Sequence, residues 1–128
     1  MKLLLDTHSF LWFIEDHPAL SERARILIDE PSNEVFLSIA SVWEMAIKLS
    51  LGKLHVKQPF NEFIPSQLRR NNILPLDISI KHVLTVAELP FHYRDPFDRL
   101  LVAQSLVEGY PIISADAALD AYHVARQW

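Results

Sequence analysis

The sequence predicts an α/β fold in which a mostly parallel central sheet of four to five strands is covered by helices on both faces. Short apolar segments of strand length alternate with segments of helical periodicity along the whole chain. The first segment, Lys-Leu-Leu-Leu at residues 2–5, is an apolar run typical of a buried strand. Gly52, Pro90 and Gly109 follow helical segments and mark where those segments end.

Five segments are predicted as strands. After residues 2–5, the segment 34–39 is β-branched and aromatic at its centre, and 73–76 and 111–114 are shorter apolar runs. A last edge strand is predicted within residues 123–128. In a sheet of this kind, ligands bind beyond the carboxyl ends of the strands, so residues that follow the strands are the first candidates for a site.

Seven segments are predicted as helices. The second has Ser21 as its N-cap candidate, and the third carries apolar residues at helical spacing from Val42 to Leu49. The predicted helices cover residues 9–15, 21–30, 42–51, 60–70, 80–89, 96–108 and 117–122.

Composition restricts the class of protein. The chain has 128 residues, of which 50% are hydrophobic, so we predict a single folded domain over residues 1–128. The absence of cysteine excludes disulfides, thiolate zinc sites and cysteine nucleophiles. No apolar run approaches the roughly 18 residues of a membrane span. Asp6 follows the first apolar residues too early for a signal peptide, and we therefore expect a cytoplasmic protein.

The formal net charge is −4. Proteins that bind nucleic acids are usually basic, so this charge counts against a nucleic-acid function. The objection weakens if several of the 16 acidic residues converge on a metal ion, because the ion would offset their charge locally.

Four acidic residues are predicted to lie at one edge of the sheet. Asp6 follows the first strand directly, and Asp116 lies just beyond the fourth. Glu44 is placed in the first turn of the helix after the second strand. Asp98 is placed in the first turn of a helix that leads into a strand, so the topology positions it less directly than the other three.

Each acid also has an ordinary structural explanation. Glu44 could close a capping box with Ser41 or form an i,i+4 ion pair with Lys48. The segment 95–98 is consistent with an N-cap, a proline at N1 and an acid near the helix dipole. The other two acids could be a turn residue and a helix cap.

Four carboxylates at one edge of a small sheet would repel one another. At about 4 Å, a like pair costs roughly 4 kcal/mol at an effective dielectric near ~20. A helix N-terminus relieves only ~0.3–1 kcal/mol of this, whereas a bound divalent cation relieves far more. Carboxylate oxygens suit the hard ions Mg²⁺ and Mn²⁺, which polarise phosphates and lower the pKa of a bound water. The pattern therefore predicts a metal-dependent phosphoryl or phosphodiester site.

Four segments surround these acids in order: Leu-Leu-Leu-Asp-Thr-His at 3–8 with Leu-Trp at 11–12, Ser-Val-Trp-Glu-Met-Ala-Ile-Lys at 41–48 with Leu-Gly-Lys-Leu at 51–54, His-Tyr-Arg-Asp-Pro-Phe-Asp-Arg-Leu-Leu at 92–101, and Ile-Ile-Ser-Ala-Asp at 112–116 with Tyr122. Together they resemble the motifs of PIN-domain toxins of the VapC type. Any one motif is weak, but four in this order are specific. The resemblance covers nearly the whole chain and implies a three-layer α/β/α sandwich.

The resemblance implies an endoribonuclease that hydrolyses RNA phosphodiester bonds with a water activated by Mg²⁺ or Mn²⁺. It assigns the catalytic and metal-binding roles to Asp6, Glu44, Asp98 and Asp116. Asp95 is either a further ligand or only a helix cap.

The resemblance also suggests further residues and partners. Thr7 and Ser114 carry hydroxyls that could orient carboxylates or water. VapC-type toxins are held inactive by a cognate antitoxin protein, whose segment binds over the active-site groove, and they commonly form homodimers. The resemblance thus implies an antitoxin and a second copy of the chain as partners.

Three cations near the motifs are candidates for contact with RNA phosphates: Lys48, Arg94 and Arg99. Lys48 and Arg94 are the first choices, and the alternative for all three is an ordinary solvated surface.

Histidines and aromatic residues near the motifs have two interpretations. His8 and His92 could act in proton transfer, although a lone histidine is more often structural. Trp12, Phe13 and Trp43 are predicted to lie in the core or in a dimer interface rather than to stack on bases.

Two other functions remain open from the sequence. A receiver-like signalling domain also has an acidic Mg²⁺ pocket, but it usually has paired acids after the first strand and a lysine after the last. Here Thr7 and His8 follow Asp6, and no lysine lies beyond His82. A catalytically silent PIN interaction module would keep the fold, although the presence of all four acids argues against it. Metal-assisted cleavage does not itself require a 2′-hydroxyl, so only the resemblance favours RNA over DNA.

Overall fold

A five-stranded parallel sheet forms the centre of the computed structural model, which describes residues 1–128. The strands are β1 (Lys2–Leu5), β2 (Glu34–Ser38), β3 (Ile73–Leu76), β4 (Ile112–Ile113) and β5 (Arg126–Gln127). Their order across the sheet is β3-β2-β1-β4-β5, and all four neighbouring pairs are parallel. The predicted parallel sheet is confirmed, and the last predicted strand is present as the short edge strand β5.

Six α-helices and one 3₁₀ helix connect the strands. They are α1 (Thr7–Ile14), α2 (Glu22–Asp29), α3 (Ile39–Ser50), α4 (Phe60–Arg70), α5 (Ile80–Glu88) and α6 (Pro96–Glu108), followed by the 3₁₀ helix Ala117–Tyr122. None of the helices combines the length and the apolar content needed to span a membrane.

Capping residues set the helix boundaries. The Ser21 hydroxyl accepts a hydrogen bond from the Ala24 amide at 3.0 Å, which confirms Ser21 as the N-cap of α2. Helix α3 begins three residues earlier than the sequence predicted, because Ser38 caps it through the Ala40 amide. Glu44 therefore lies in the second turn of α3, and the predicted capping box with Ser41 is wrong.

The two faces of the sheet bury different apolar clusters. Leu3 and Leu5 of β1 point into the larger cluster, which α1, α2 and α4 cover, while Leu4 points into the smaller cluster beneath α6 and the 3₁₀ helix. This alternation follows from the two-residue period of a strand. Both clusters are fully buried at the sheet, so the three-layer α/β/α sandwich is confirmed.

The order of the strands determines where a site can form. From β1 the chain passes through α1 and α2 to β2 on one side, whereas β4 pairs with β1 on the other side. Helices that follow β1 and helices that connect to β4 therefore diverge at the carboxyl ends of these two strands. This divergence is the topological switch point at which doubly wound sheets bind their ligands.

The packing of β1 predicts the cost of truncating its side chains. Leu4→Ala should lower the free energy of unfolding by about 2–5 kcal/mol, because it leaves a cavity in the smaller cluster. Leu84→Ala on α5 is the control, since that side chain is 62% exposed, and it should change stability by less than about 0.5 kcal/mol. Urea denaturation of both variants measures this, and similar losses would contradict the assigned core.

Candidate active site at the carboxyl edge of the sheet

Asp6 links the central strand to the first helix. It follows β1 and caps α1, since its Oδ1 accepts a hydrogen bond from the Ser9 amide at 2.8 Å. Its side chain is almost completely buried, and its second carboxylate oxygen accepts no hydrogen bond from the protein. Asp6 is thus a helix cap with one oxygen available to a ligand.

Asp98 lies in the first turn of α6, where Asp95 is the cap. The Asp95 carboxylate accepts hydrogen bonds from the Phe97 amide at 2.8 Å and the Asp98 amide at 3.2 Å. The pKa of Asp98 is raised to about 7, first by burial and then by the negative charges of four other acids, which are Asp95, Asp6, Glu44 and Asp116. No hydrogen bond contributes to this shift. The negative charges of the other three predicted acids and of Asp95 therefore all act on the Asp98 carboxyl group.

Glu44 is held by donors on both of its oxygens. Its Oε1 accepts a hydrogen bond from the Thr7 hydroxyl at 2.6 Å, and its Oε2 lies 3.0 Å from the ammonium of Lys48. The hydroxyls of Thr7 and Ser41 lie 3.0 Å apart and extend this network into the buried interior. The i,i+4 ion pair that was one explanation of Glu44 is present within α3, and the hydrogen bond from Thr7 links α3 to the start of α1.

Asp116 is likewise held on both oxygens. One accepts from the Ala118 amide at 3.0 Å, as a helix cap would, and the other accepts from the Tyr93 hydroxyl. The Asp116 amide donates to the buried Ser114 hydroxyl at 3.1 Å. The hydrogen bond to Asp116 is the main reason that the pKa of Tyr93 is raised. No sequence pattern singled out Tyr93 as a site residue, although it lies within the third motif.

The acids share an edge, but they do not form a metal cage. No group of three or more histidine, aspartate or glutamate side chains is close enough together to hold an ion. Glu44 and Asp116 are occupied by protein donors, while Asp6 and Asp98 keep free oxygens. The predicted assembly of all four acids as direct ligands is therefore not present in this structure. The candidate metal-binding atoms are nevertheless all carboxylate oxygens, and a divalent cation would offset the repulsion between these carboxylates.

Arg99 does not lie where an RNA ligand could reach it, and this prediction is wrong. Its side chain is only 7% exposed, and its guanidinium donates to the carbonyls of Val86, Leu89 and Pro90 and to the Tyr122 hydroxyl, at 3.0–3.4 Å. The five fixed donors of a guanidinium suit several carbonyls at once. Arg99 thus ties the segment that follows α5 to the first turns of α6.

The other two predicted cations are accessible to different degrees. Lys48 is partly buried and paired with Glu44, whereas Arg94 is exposed in the segment before α6. Arg94 therefore remains the cation near the acids that is most accessible to a phosphate.

The histidines and aromatic residues separate into packed and exposed groups. Trp12 and Phe13 pack against the larger apolar cluster, which agrees with their predicted place in the core. His8 and His92 are exposed, and their rings contact Trp12 and Tyr122 respectively. Trp43 is 57% exposed, so it is not a core residue.

A doubly wound parallel sheet with converging carboxylates at its switch point defines a class of domains that bind their ligand at this edge. Comparison with known families then gives a specific assignment. The sequence profile of the PIN domain family matches residues 3–125, and the chain belongs to this family. Because the chain belongs to the PIN domain family, the receiver-like signalling domain that the sequence had left open is excluded.

Known proteins extend this assignment. The chain is 36% identical over 70 residues to ribonuclease VapC16 of Mycobacterium tuberculosis (strain ATCC 25618 / H37Rv), and the match spans 52% of this chain and 50% of that protein. Its fold is similar to that of VapBC2 from Rickettsia felis bound to a promoter DNA fragment, with a TM-score of 0.74, 15% identity, and coverage of 99% and 98% of the two chains. VapBC-1 from nontypeable Haemophilus influenzae gives 0.66 at 16% identity, covering 99% and 97%. FitAcB from Neisseria gonorrhoeae gives 0.59 at 19% identity, covering 97% and 95%.

The buried guanidinium predicts a large effect from a conservative change. Arg99→Lys should lower the free energy of unfolding by about 1–3 kcal/mol, because one ammonium cannot satisfy the carbonyls that the guanidinium binds. Arg94→Lys is the matched control and should be neutral, since Arg94 is exposed. Chemical denaturation measures both, and equal stabilities would show that Arg99 is not a structural tie.

The raised pKa of Asp98 predicts how stability depends on pH. Because the folded pKa is about 7 and the ordinary value is 3.8, the folded state binds this proton more tightly than the unfolded state. The resulting stabilisation is complete below about pH 4 and is lost as the pH rises through about 7. Without divalent ions, the melting temperature of the wild type should therefore fall relative to Asp98→Asn over this range. A difference that does not change with pH would contradict the assigned shift.

Proposed function

We propose that this protein is a metal-dependent endoribonuclease and the toxin component of a toxin–antitoxin pair. The observation that carries the proposal is the convergence of acidic charges on Asp98 at the switch point of a PIN domain. The similarity to a ribonuclease supports RNA as the substrate, over the half of the chain that it covers.

Mg²⁺ or Mn²⁺ is the proposed cofactor. Asp6 and Asp98 would hold the ion, because each keeps a carboxylate oxygen that no protein donor uses. When bound, such an ion polarises a phosphate and lowers the pKa of a coordinated water. Glu44 and Asp116 remain in the proposed catalytic set, and their protein donors would orient them beside the ion. We assign no ligand role to Asp95, because its carboxylate caps α6.

The side chains around the acids would prepare the site without touching the ion. Thr7 and Lys48 hold the Glu44 carboxylate in place through a hydrogen bond and an ion pair, and Ser114 holds the main chain of Asp116. Arg94 is exposed beside this edge and would contact a substrate phosphate. These residues therefore account for orientation and for part of the substrate binding.

A cognate antitoxin is the proposed regulatory partner. The solved structures with similar folds include VapBC and FitAB assemblies, which supports a partner of the same kind for this chain. A homodimer is also proposed, and sedimentation of the purified chain would test it.

The nuclease proposal predicts cleavage of single-stranded RNA with Mg²⁺ or Mn²⁺ and none with EDTA. Asp6→Asn and Asp98→Asn should each lower the rate by about 100-fold or more, because each removes a charged oxygen from the ion. Asp29→Asn is the matched control: that acid is exposed at the end of α2, just before β2 begins, and the rate should not change. Gel analysis of RNA after incubation with each variant, purified free of partners, measures this.

Two outcomes would contradict the nuclease proposal. Equal cleavage by wild type and Asp6→Asn would identify a contaminating nuclease. Folded wild type that cleaves no RNA with either ion would favour the catalytically silent interaction module, for which the lack of a preformed metal cage is the supporting observation.

A further inference from the structure

Trp43 is a large aromatic side chain that the fold leaves uncovered. It is 57% exposed on α3, and its indole contacts the half-buried ring of Phe97 edge to face, with ring centroids 5.1 Å apart and an angle of 75° between the planes. A perpendicular contact fixes the orientation of the indole and leaves much of its surface open to solvent. The fold therefore holds this ring in place without burying it.

The aromatic pair adjoins the acidic edge. Trp43 directly precedes Glu44 on α3, and Phe97 directly precedes Asp98 on α6. Since neighbouring Cα atoms are only about 3.8 Å apart, the contact between the two rings and the proposed catalytic acids share the same turns of the same two helices. The exposed indole therefore belongs to the same pair of helix turns as Glu44 and Asp98.

The charge of this edge favours an uncharged contact with RNA. The acids repel phosphates, Lys48 is paired with Glu44, and Arg99 is buried among carbonyls. Of the three cations predicted to contact RNA, Arg94 alone is exposed. Stacking of a base on an aromatic ring needs no charge and tolerates any base, because every base has a π-face.

We propose that Trp43, supported by Phe97, is a stacking platform for an unpaired nucleobase of the RNA strand whose phosphate lies at the acids. This inference rests on the proposed nuclease function and adds a substrate-binding residue to it. It also implies that the substrate is single-stranded where it meets Trp43, since a base must leave its duplex stack to lie on the indole.

The test is equilibrium binding of a short oligoadenylate and of the same ribose-phosphate chain without bases. Fluorescence anisotropy at saturating Mg²⁺ would use the Asp98→Asn background, in which cleavage is slower by about 100-fold or more. Adding Trp43→Leu should weaken oligoadenylate binding by about 5- to 100-fold, whereas adding Trp43→Phe, which keeps an aromatic face, should cost less than about threefold. On the chain without bases, all three proteins should bind equally weakly. Ile39→Ala, which trims an exposed apolar side chain one turn earlier on α3, should have no effect.

Several results would overturn the stacking platform. These are unchanged oligoadenylate binding by Trp43→Leu, an equal loss with and without bases, or no measurable oligoadenylate binding, because stacking does not depend on base sequence. A dimer that becomes a monomer with Trp43→Leu in sedimentation, with RNA binding unchanged, would instead assign Trp43 to an interface between copies of the chain. Base-dependent binding through Trp43 in a protein that cleaves no RNA would support the platform while the nuclease proposal fails, so the two failures can be distinguished.

Discussion

Repulsion between carboxylates at the carboxyl edge of the sheet is the constraint around which the site is arranged. The parallel strands fix β1 and β4 side by side, so the acids that follow them cannot move apart without breaking the sheet. Main-chain amides at the starts of α1, α6 and the 3₁₀ helix donate hydrogen bonds to the carboxylates of Asp6, Asp95 and Asp116. Each helix start offsets about 0.3–1 kcal/mol of the repulsion. Asp98 has no such donor, and its burial together with the negative charges of the neighbouring acids raises its pKa.

A second constraint keeps the opposing helices in place. The Arg99 guanidinium has no acidic partner and instead collects the carbonyls at the end of α5, so it anchors the segment that carries Tyr93 and Asp95. Tyr93 in turn contacts Asp116 across the edge. The position of the acidic edge thus depends on a buried cation that itself contacts no acid.

The sequence predicted most of the fold because its strands and helices carry strong local signals. The apolar run before Asp6 correctly predicted β1, and Gly109 correctly predicted the end of α6. The order of strands and helices then predicted the edge of the sheet at which the acids lie. Local signals failed where a tertiary contact decided the outcome. The local sequence suggested Ser41 as a helix cap, but its hydroxyl instead contacts the Thr7 hydroxyl. The local sequence also suggested Arg99 as a surface cation, but its side chain is buried. The exposure of Trp43 depends on how α3 meets α6, which no local pattern in its helix reveals.

Calorimetric titration with Mn²⁺ at neutral pH tests most directly whether this edge binds a divalent cation through Asp6 and Asp98. The wild type should bind Mn²⁺ saturably, Asp98→Asn should bind it at least about tenfold more weakly, and Asp29→Asn should bind it like the wild type. Affinity that Asp98→Asn leaves unaltered, or a folded wild type that binds no Mn²⁺, would contradict a metal site at these two carboxylates.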